Sequence, residues 1–119
     1  MNHLLRICSA LAVAYGLSAT AAHAAPPAAF AACAACHSSD GTNGLGPSLK
    51  GVYGRKVGTA AGFRYSPAMK KAGTVWDEKS LDNFLADTQK AIPGNVMPFP
   101  GVADAKQREE IIGYLKSVK

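Results

Sequence analysis

The feature that most constrains this chain is the run Cys-Ala-Ala-Cys-His at residues 33–37. Two thiols three positions apart on a helical turn can reach the two vinyl groups on one side of a porphyrin, and the next residue can direct its imidazole at the iron. Two thioether bonds would prevent loss of the cofactor. The motif therefore predicts one covalently attached haem c on Cys33 and Cys36, with His37 as a ligand of the iron.

Residues 1–24 are predicted to be a cleaved signal peptide, and residues 25–119 a single small domain. A short segment with one positive charge precedes the apolar residues 7–22, and Ala22-His23-Ala24 supplies the small-x-small pattern of a cleavage site. The alternative is an uncleaved membrane helix, which the short, interrupted apolar run makes the weaker interpretation. Cleavage would leave His37 as the only imidazole of the mature chain.

A Cys-x-x-Cys pair has two other interpretations, a thiol–disulfide centre and half of a zinc site. Thioredoxin-like chemistry is typical of chains with a strand before the motif and an α/β sheet after it, and neither pattern is visible here. Tetrahedral zinc needs four ligands, whereas the mature chain offers only three Cys and His residues, all within 33–37. Haem attachment remains the favoured interpretation.

The remaining pattern predicts an all-α domain of about four short helices with long loops wrapped round one haem. Capping residues, proline and glycine mark four helical segments, which run from Pro27 through Ala32, from Ser66 to Gly73, from Asp77 to Ile92 and from Asp104 to Val118. Gln107 completes a capping-box pattern with Asp104. Between the first two segments, residues 38–62 contain seven glycines and no strand alternation, which indicates a loop that encloses a large ligand.

Two methionines of the mature chain, Met69 and Met97, are candidates for the second axial ligand. Met97 lies in a proline-rich loop at residues 93–100, where the backbone is fixed in an irregular conformation. Met69 lies on a predicted helix and is more simply interpreted as core packing. We expect Met97 to bind the iron, with an open distal site as the alternative.

Histidine and methionine ligands together indicate electron transfer. The soft thioether favours reduced iron and raises the reduction potential, and two filled axial positions exclude a substrate. Peroxidase or gas-sensing chemistry would need an open position, and a peroxidase would also need a distal acid or base. We therefore predict no enzymatic activity.

The chain resembles class I cytochromes c, especially the mitochondrial-like group and its bacterial relatives. The resemblance covers nearly all of residues 28–119, and its segments are residues 33–37, 46–49, 51–56, 62–65, 92–97 and 112–116, together with Trp76. It implies that the backbone carbonyl of Pro47 accepts a hydrogen bond from His37. It also implies that a haem propionate is held by three donors: Arg55, Tyr65 and Trp76.

The sequence departs from this family in ways that affect the haem pocket and its rim. Phe84 stands where mitochondrial members often have a tyrosine, and Met69 where a buried asparagine is common. Lysines that ring the haem edge in the mitochondrial protein are replaced at four positions, namely Ala32, Gln89, Val96 and Ala103, whereas Lys90 is retained. The resemblance thus implies a docking face that is less basic and more apolar than in the mitochondrial protein.

These features predict a periplasmic one-electron carrier that works as a monomer between redox proteins. The formal net charge of the whole chain is +5 at pH 7 and is spread along the sequence. Such a charge suits an acidic protein partner better than nucleic acid, which would require a concentrated basic stripe. No stable membrane insertion is expected. A dedicated acceptor subunit of one dehydrogenase or oxidase is the alternative to a free carrier.

Overall fold

A computed structural model describes residues 24–119, which fold into short helices joined by long loops. A 3₁₀ turn over Ala28–Phe30 precedes five helices, which are α1 (Ala31–Ala34), α2 (Pro67–Lys71), α3 (Glu78–Ala86), α4 (Thr88–Ala91) and α5 (Ala105–Ser117). In this described part, extended pairing is limited to one isolated bridge between Lys56 and Val75. The all-α prediction is confirmed, and the predicted signal peptide lies outside the described residues except for residue 24.

The start of α2 follows the capping pattern of its sequence. Ser66 has an extended backbone, and its side chain accepts a hydrogen bond from the Met69 N–H at 3.3 Å. Pro67 occupies the first helical position, where its missing N–H costs nothing. Gly73, with φ of +70°, ends the segment. The predicted bounds of this helix are therefore confirmed.

The prediction of one helix from Asp77 to Ile92 is wrong at Asp87, which separates α3 from α4. Asp87 has φ −157° and ψ 104°, and its side chain accepts a hydrogen bond from the Lys90 N–H at 3.0 Å. Aspartate is a poor residue for a helix interior and a strong N-cap. The break starts a new helix at Thr88, which is why residues 24–119 contain five α-helices rather than four.

The last helix, α5, packs against α3 and against the 3₁₀ turn. Asp104 caps it by accepting a hydrogen bond from the Gln107 N–H at 3.0 Å, but the Gln107 side chain does not return the bond, so the predicted capping box is only half formed. The rings of Phe30 and Tyr114 meet edge to face, with centroids 4.7 Å apart. This contact fastens the beginning of the domain to its end.

One hydrophobic cluster connects the helices with the loops. Its buried members are Phe30, Val52, Val57, Trp76, Leu81, Phe84, Leu85, Ile92, Ile111, Ile112 and Leu115. Three sulfur-bearing residues, Cys33, Met69 and Met97, are partly buried against the same cluster. Because these side chains pack against the core, the haem motif and both candidate methionines contact the same hydrophobic cluster. None of the helices in the described part is long and apolar enough to cross a bilayer.

The N-cap of α3 predicts a specific dependence of stability on pH. The Asp77 carboxylate accepts a hydrogen bond from the Ser80 N–H at 2.8 Å, and this contact lowers the pKa of Asp77 from its usual 3.8. A lowered folded-state pKa means that the charged cap stabilises the protein above pH 3.8 and stops doing so as the pH falls through the folded-state value.

Asp77→Asn keeps a capping side chain but removes its charge. We expect a lower thermal midpoint than in the wild type at pH 7, and a difference that closes towards pH 2. Parallel thermal unfolding curves between these pH values measure it. A difference independent of pH would show that the charge of Asp77 does not stabilise α3.

Candidate functional site

The two cysteines of the motif lie on one continuous turn. Cys33 is in α1, and its carbonyl accepts hydrogen bonds from the Cys36 N–H at 3.1 Å and from the His37 N–H at 2.9 Å. Burial raises the pKa of the Cys33 thiol. Thiol–disulfide centres depend on cysteines whose pKa is lowered, so this environment disfavours that alternative. In residues 24–119 no three His, Cys, Asp or Glu side chains are grouped to hold a metal ion, as a zinc site would require.

The imidazole of His37 is fixed in one orientation. Its Nδ1 lies 2.7 Å from the carbonyl oxygen of Pro47. Since a carbonyl can only accept, Nδ1 carries the proton, and in the neutral ring Nε2 keeps a lone pair that can bind a metal. The contact is the one that the family resemblance implies for these two residues.

Gly46 allows the loop to lie directly against the His37 ring. A Cβ atom built on Gly46 would lie 2.3 Å from His37 Cε1, too close for any side chain. The Gly46 N–H also donates to the carbonyl of Cys36 at 2.9 Å, which closes the loop back onto the motif. Sequence reasoning counted Gly46 among the seven glycines of residues 38–62 and in the family pattern, but predicted no contact with His37. The position of Gly46 immediately before Pro47 was the available signal for a close backbone approach.

Arg55 has a buried nitrogen atom without a partner. Its two terminal nitrogens donate to the carbonyls of Lys50 at 2.9 Å and Ser48 at 3.1 Å, whereas Nε is buried and makes no hydrogen bond with the described residues. Buried donors in native proteins are nearly always satisfied, so this atom indicates an acceptor that the polypeptide does not supply. A haem propionate is such an acceptor, and the residues present therefore fit the cofactor that the motif predicts.

Trp76 and Tyr65, the other predicted propionate donors, lie close to Arg55. The Trp76 N–H donates to the Arg55 carbonyl at 2.9 Å, so their backbones are adjacent. The Tyr65 hydroxyl accepts from the Ala60 N–H at 3.1 Å and keeps its own proton free to donate. Arg55 and Ala60 line the same small cavity of about 170 Å³. The backbone of Trp76 and the hydrogen-bond partner of Tyr65 thus both lie next to Arg55.

A larger cavity than the one beside Arg55 lies elsewhere, and none of the predicted site residues lines it. It is an open groove of about 790 Å³ between α3 and α5, and most of its lining is charged, namely Glu78, Lys79, Asp82, Lys106, Glu109, Glu110 and Lys116. A porphyrin needs a predominantly apolar environment. Cavity size therefore does not identify the site in this protein, and the chemistry of residues 33–37 does.

Met97 lies on a loop, residues 92–102, that is held from within by Asn95. Asn95 is only 5% exposed, and its side-chain amide donates to the carbonyls of Thr88 and Ile92, both at 2.8 Å. Its side-chain oxygen accepts from the Met97 N–H at 3.1 Å. The side chain of Met97 is half-buried, and the backbone of Met97 is held in a fixed position relative to α4 by Asn95.

Contacts at both ends of the loop complete this support. Gln89 accepts from the Gly94 N–H at 3.2 Å and donates to the carbonyl of Asn95 at 2.8 Å. The Thr88 hydroxyl donates to the carbonyl of Phe99 at 2.7 Å. At the far end, a Cβ atom on Gly101 would lie 2.4 Å from a backbone oxygen of α3. Sequence reasoning missed the roles of Asn95 and Gln89.

Comparison with known proteins agrees with this site. The family model for cytochrome c matches residues 24–119. A cytochrome c2 iso-2 from Magnetospirillum fulvum is 51% identical over 95 residues, which cover 79% of this chain and 98% of the relative. Cytochrome c from Euglena viridis is 48% identical over 84 residues, 70% of this chain and 82% of the relative.

A solved structure shares both fold and sequence. Cytochrome cH from Methylobacterium extorquens is 50% identical, with a TM-score of 0.72, and the match covers 74% of this chain and 90% of that one. Cys33 and Cys36 fit the motif through which cytochromes c attach one haem c covalently. The chain belongs to the cytochrome c family and is a monohaem electron carrier.

Proposed function

We propose that this protein is a periplasmic carrier of single electrons in which His37 and Met97 bind the haem iron from opposite sides. The observation that carries the proposal is the fixed His37 ring, whose Nδ1 is occupied by Pro47 and whose Nε2 is left for a metal. The supported loop of Met97 adds a soft second ligand with a defined backbone position. Family membership supports the carrier function itself.

The bound haem supplies an iron that gains and loses one electron. The residues of the chain set the conditions for this change. The hydrogen bond from His37 to Pro47 orients the ring and makes it more basic, and the Met97 thioether favours the reduced state. Because both side chains come from fixed loops, oxidation and reduction require little rearrangement. Arg55, Tyr65 and Trp76 would hold a propionate.

Phe84 stands where the mitochondrial-like members of the family often have a tyrosine. It is buried, and its ring centroid lies 5.0 Å from that of Trp76. Phenylalanine has no hydroxyl to donate to the sulfur of Met97. The pocket therefore depends on its backbone supports, rather than on a hydrogen bond to the sulfur, to hold this ligand.

The proposed location rests on residues 1–24 as a cleaved signal peptide. Export would deliver the mature chain to the compartment where haem c is attached and where its redox partners would be found. The mature protein is proposed to act as a monomer, without a substrate and without catalysis. A mass spectrum of the exported protein that corresponds to a chain beginning at Ala25 plus one haem is the expected result, and retention of the leader would contradict it.

Replacement of the two methionines tests the axial ligand. In the oxidised wild type we expect the weak absorption band at the red end of the spectrum that reports an iron–sulfur bond. Met97→Ala should abolish this band, whereas Met69→Ala, the matched control on α2, should keep it. Spectra of the purified proteins measure both. A wild type without the band, or a band that survives Met97→Ala, would refute the proposed ligation.

Two glycine-to-alanine substitutions test the packing of the His37 ring. Gly46→Ala would force the loop away from the imidazole and should destabilise the haem-loaded protein by about 1–3 kcal/mol. Gly113→Ala is the control, because a Cβ there meets nothing within 4 Å. Being inside α5, it should stabilise the protein by about 0.5–1 kcal/mol. Urea unfolding measures both, and equal effects would contradict the proposed contact.

The surface predicts how docking responds to salt. Two aliphatic side chains beside the ligand segments are highly exposed, Leu45 at 86% and Val96 at 77%, and Lys90 lies on nearby α4. With an acidic redox partner we expect a moderate decrease in association rate between low and physiological ionic strength. Stopped-flow electron transfer measures it. A very steep dependence would indicate a denser basic patch, and none at all would indicate purely apolar docking.

A further inference from the structure

We propose that Asn95 is the positioning residue for Met97, and that its buried carboxamide ties the ligand loop to α4 so that the thioether stays on the iron. The inference rests on the proposed ligation by His37 and Met97, and it assigns the stability of that iron–sulfur bond to a side chain that does not touch the iron.

The carboxamide of Asn95 is almost fully used. Both of its N–H groups donate, one to the carbonyl of Thr88 and one to the carbonyl of Ile92, at 2.8 Å each. Its oxygen accepts from the Met97 N–H at 3.1 Å. A buried amide that satisfies three of its four hydrogen-bonding positions is expensive to move, because each broken bond leaves a desolvated group unpaired. This side chain is therefore a rigid connection between α4 and the ligand residue.

The connection acts at Met97 itself. Methionine has three rotatable side-chain bonds, so its sulfur is directed only as well as its backbone is held. The Met97 N–H is held by Asn95, and the Met97 carbonyl accepts from the Phe99 N–H at 2.8 Å. Hydrogen bonds thus fix both peptide groups that flank the Met97 side chain. The bond to Asn95 is the one that is anchored outside the loop, because Asn95 is itself bonded to Thr88.

Gln89 adds a second, outer connection. Its side chain bonds the Gly94 N–H and the carbonyl of Asn95, but the residue is exposed to solvent. Water can replace hydrogen bonds at an exposed site at little cost, whereas it cannot reach the carboxamide of Asn95 as easily. The structure therefore ranks the two residues, with Asn95 expected to contribute more than Gln89 to holding the ligand.

Displacement of Met97 by an added ligand measures this positioning directly. Imidazole is titrated into the oxidised, haem-loaded protein while the red absorption band of the iron–sulfur bond is followed, and thermal unfolding is recorded in parallel. Asn95→Ala should raise the apparent affinity for imidazole by at least about tenfold, the equivalent of one or two lost hydrogen bonds. Asn95→Ser should fall between Ala and the wild type, because a hydroxyl can still accept from the Met97 N–H, though more weakly.

The control is Ile112→Val, which removes one buried methylene group from α5. It should lower the thermal midpoint but leave the imidazole affinity within about twofold, since a purely global loss of stability does not loosen the loop. If Asn95→Ala binds imidazole as the wild type does, the positioning role is wrong. Should Asn95→Ala fail to load haem, Asn95→Ser decides, and wild-type imidazole affinity in that variant overturns the proposal.

The two proposals fail in different ways. A wild-type protein without the red band refutes ligation by Met97, whatever the Asn95 variants do. A wild type with the band, a Met97→Ala variant without it and Asn95 variants indistinguishable from the wild type in imidazole affinity refute only the role of Asn95.

Discussion

The hydrogen bond between His37 Nδ1 and the Pro47 carbonyl is the interaction on which the site depends. It selects the tautomer that leaves Nε2 free, and it requires a loop that reaches the ring with no side chain in between, which is why Gly46 precedes Pro47. The rest of that loop is organised by polar contacts around buried Ser48, whose hydroxyl accepts from the Gly41 and Lys50 backbone N–H groups. A glycine-rich segment with little apolar bulk is thereby kept in one conformation.

The protein fixes its two proposed ligands by different means, and the difference follows from the side chains. An imidazole has a second nitrogen, so His37 is oriented through its own ring. A thioether has no donor and only a weak acceptor, so Met97 is oriented through its backbone, by Asn95 and by the Phe99 N–H. Because Phe84 has no hydroxyl to donate to the sulfur, the orientation of Met97 depends more on these backbone contacts than it would with a tyrosine at position 84.

The sequence predicted the features whose cause is local. The haem motif and the caps at Ser66, Asp77 and Asp104 are each determined by residues a few positions apart, and the structure contains them. The sequence did not predict the break at Asp87, because buried positions at helical spacing occur on both sides of Asp87. In the structure, the capping preference of Asp87 outweighs this helical periodicity. Nor did the sequence predict the contacts of Asn95, since its partners at Thr88 and Ile92 come within reach only after α4 has formed.

The break at Asp87 has a consequence for the ligand loop. Of the five α-helices that the structure describes, four have nine residues or fewer, lengths at which a helix in water is not stable without tertiary contacts. The one-turn α4 obtains those contacts from the loop it supports: Thr88 is 1% exposed and bonds Phe99, and Gln89 bonds Gly94. Because α4 and the loop of Met97 stabilise each other, neither can loosen alone. A continuous helix through Asp87 would turn these side chains in other directions, so the cap at Asp87 is a condition for the backbone position of Met97.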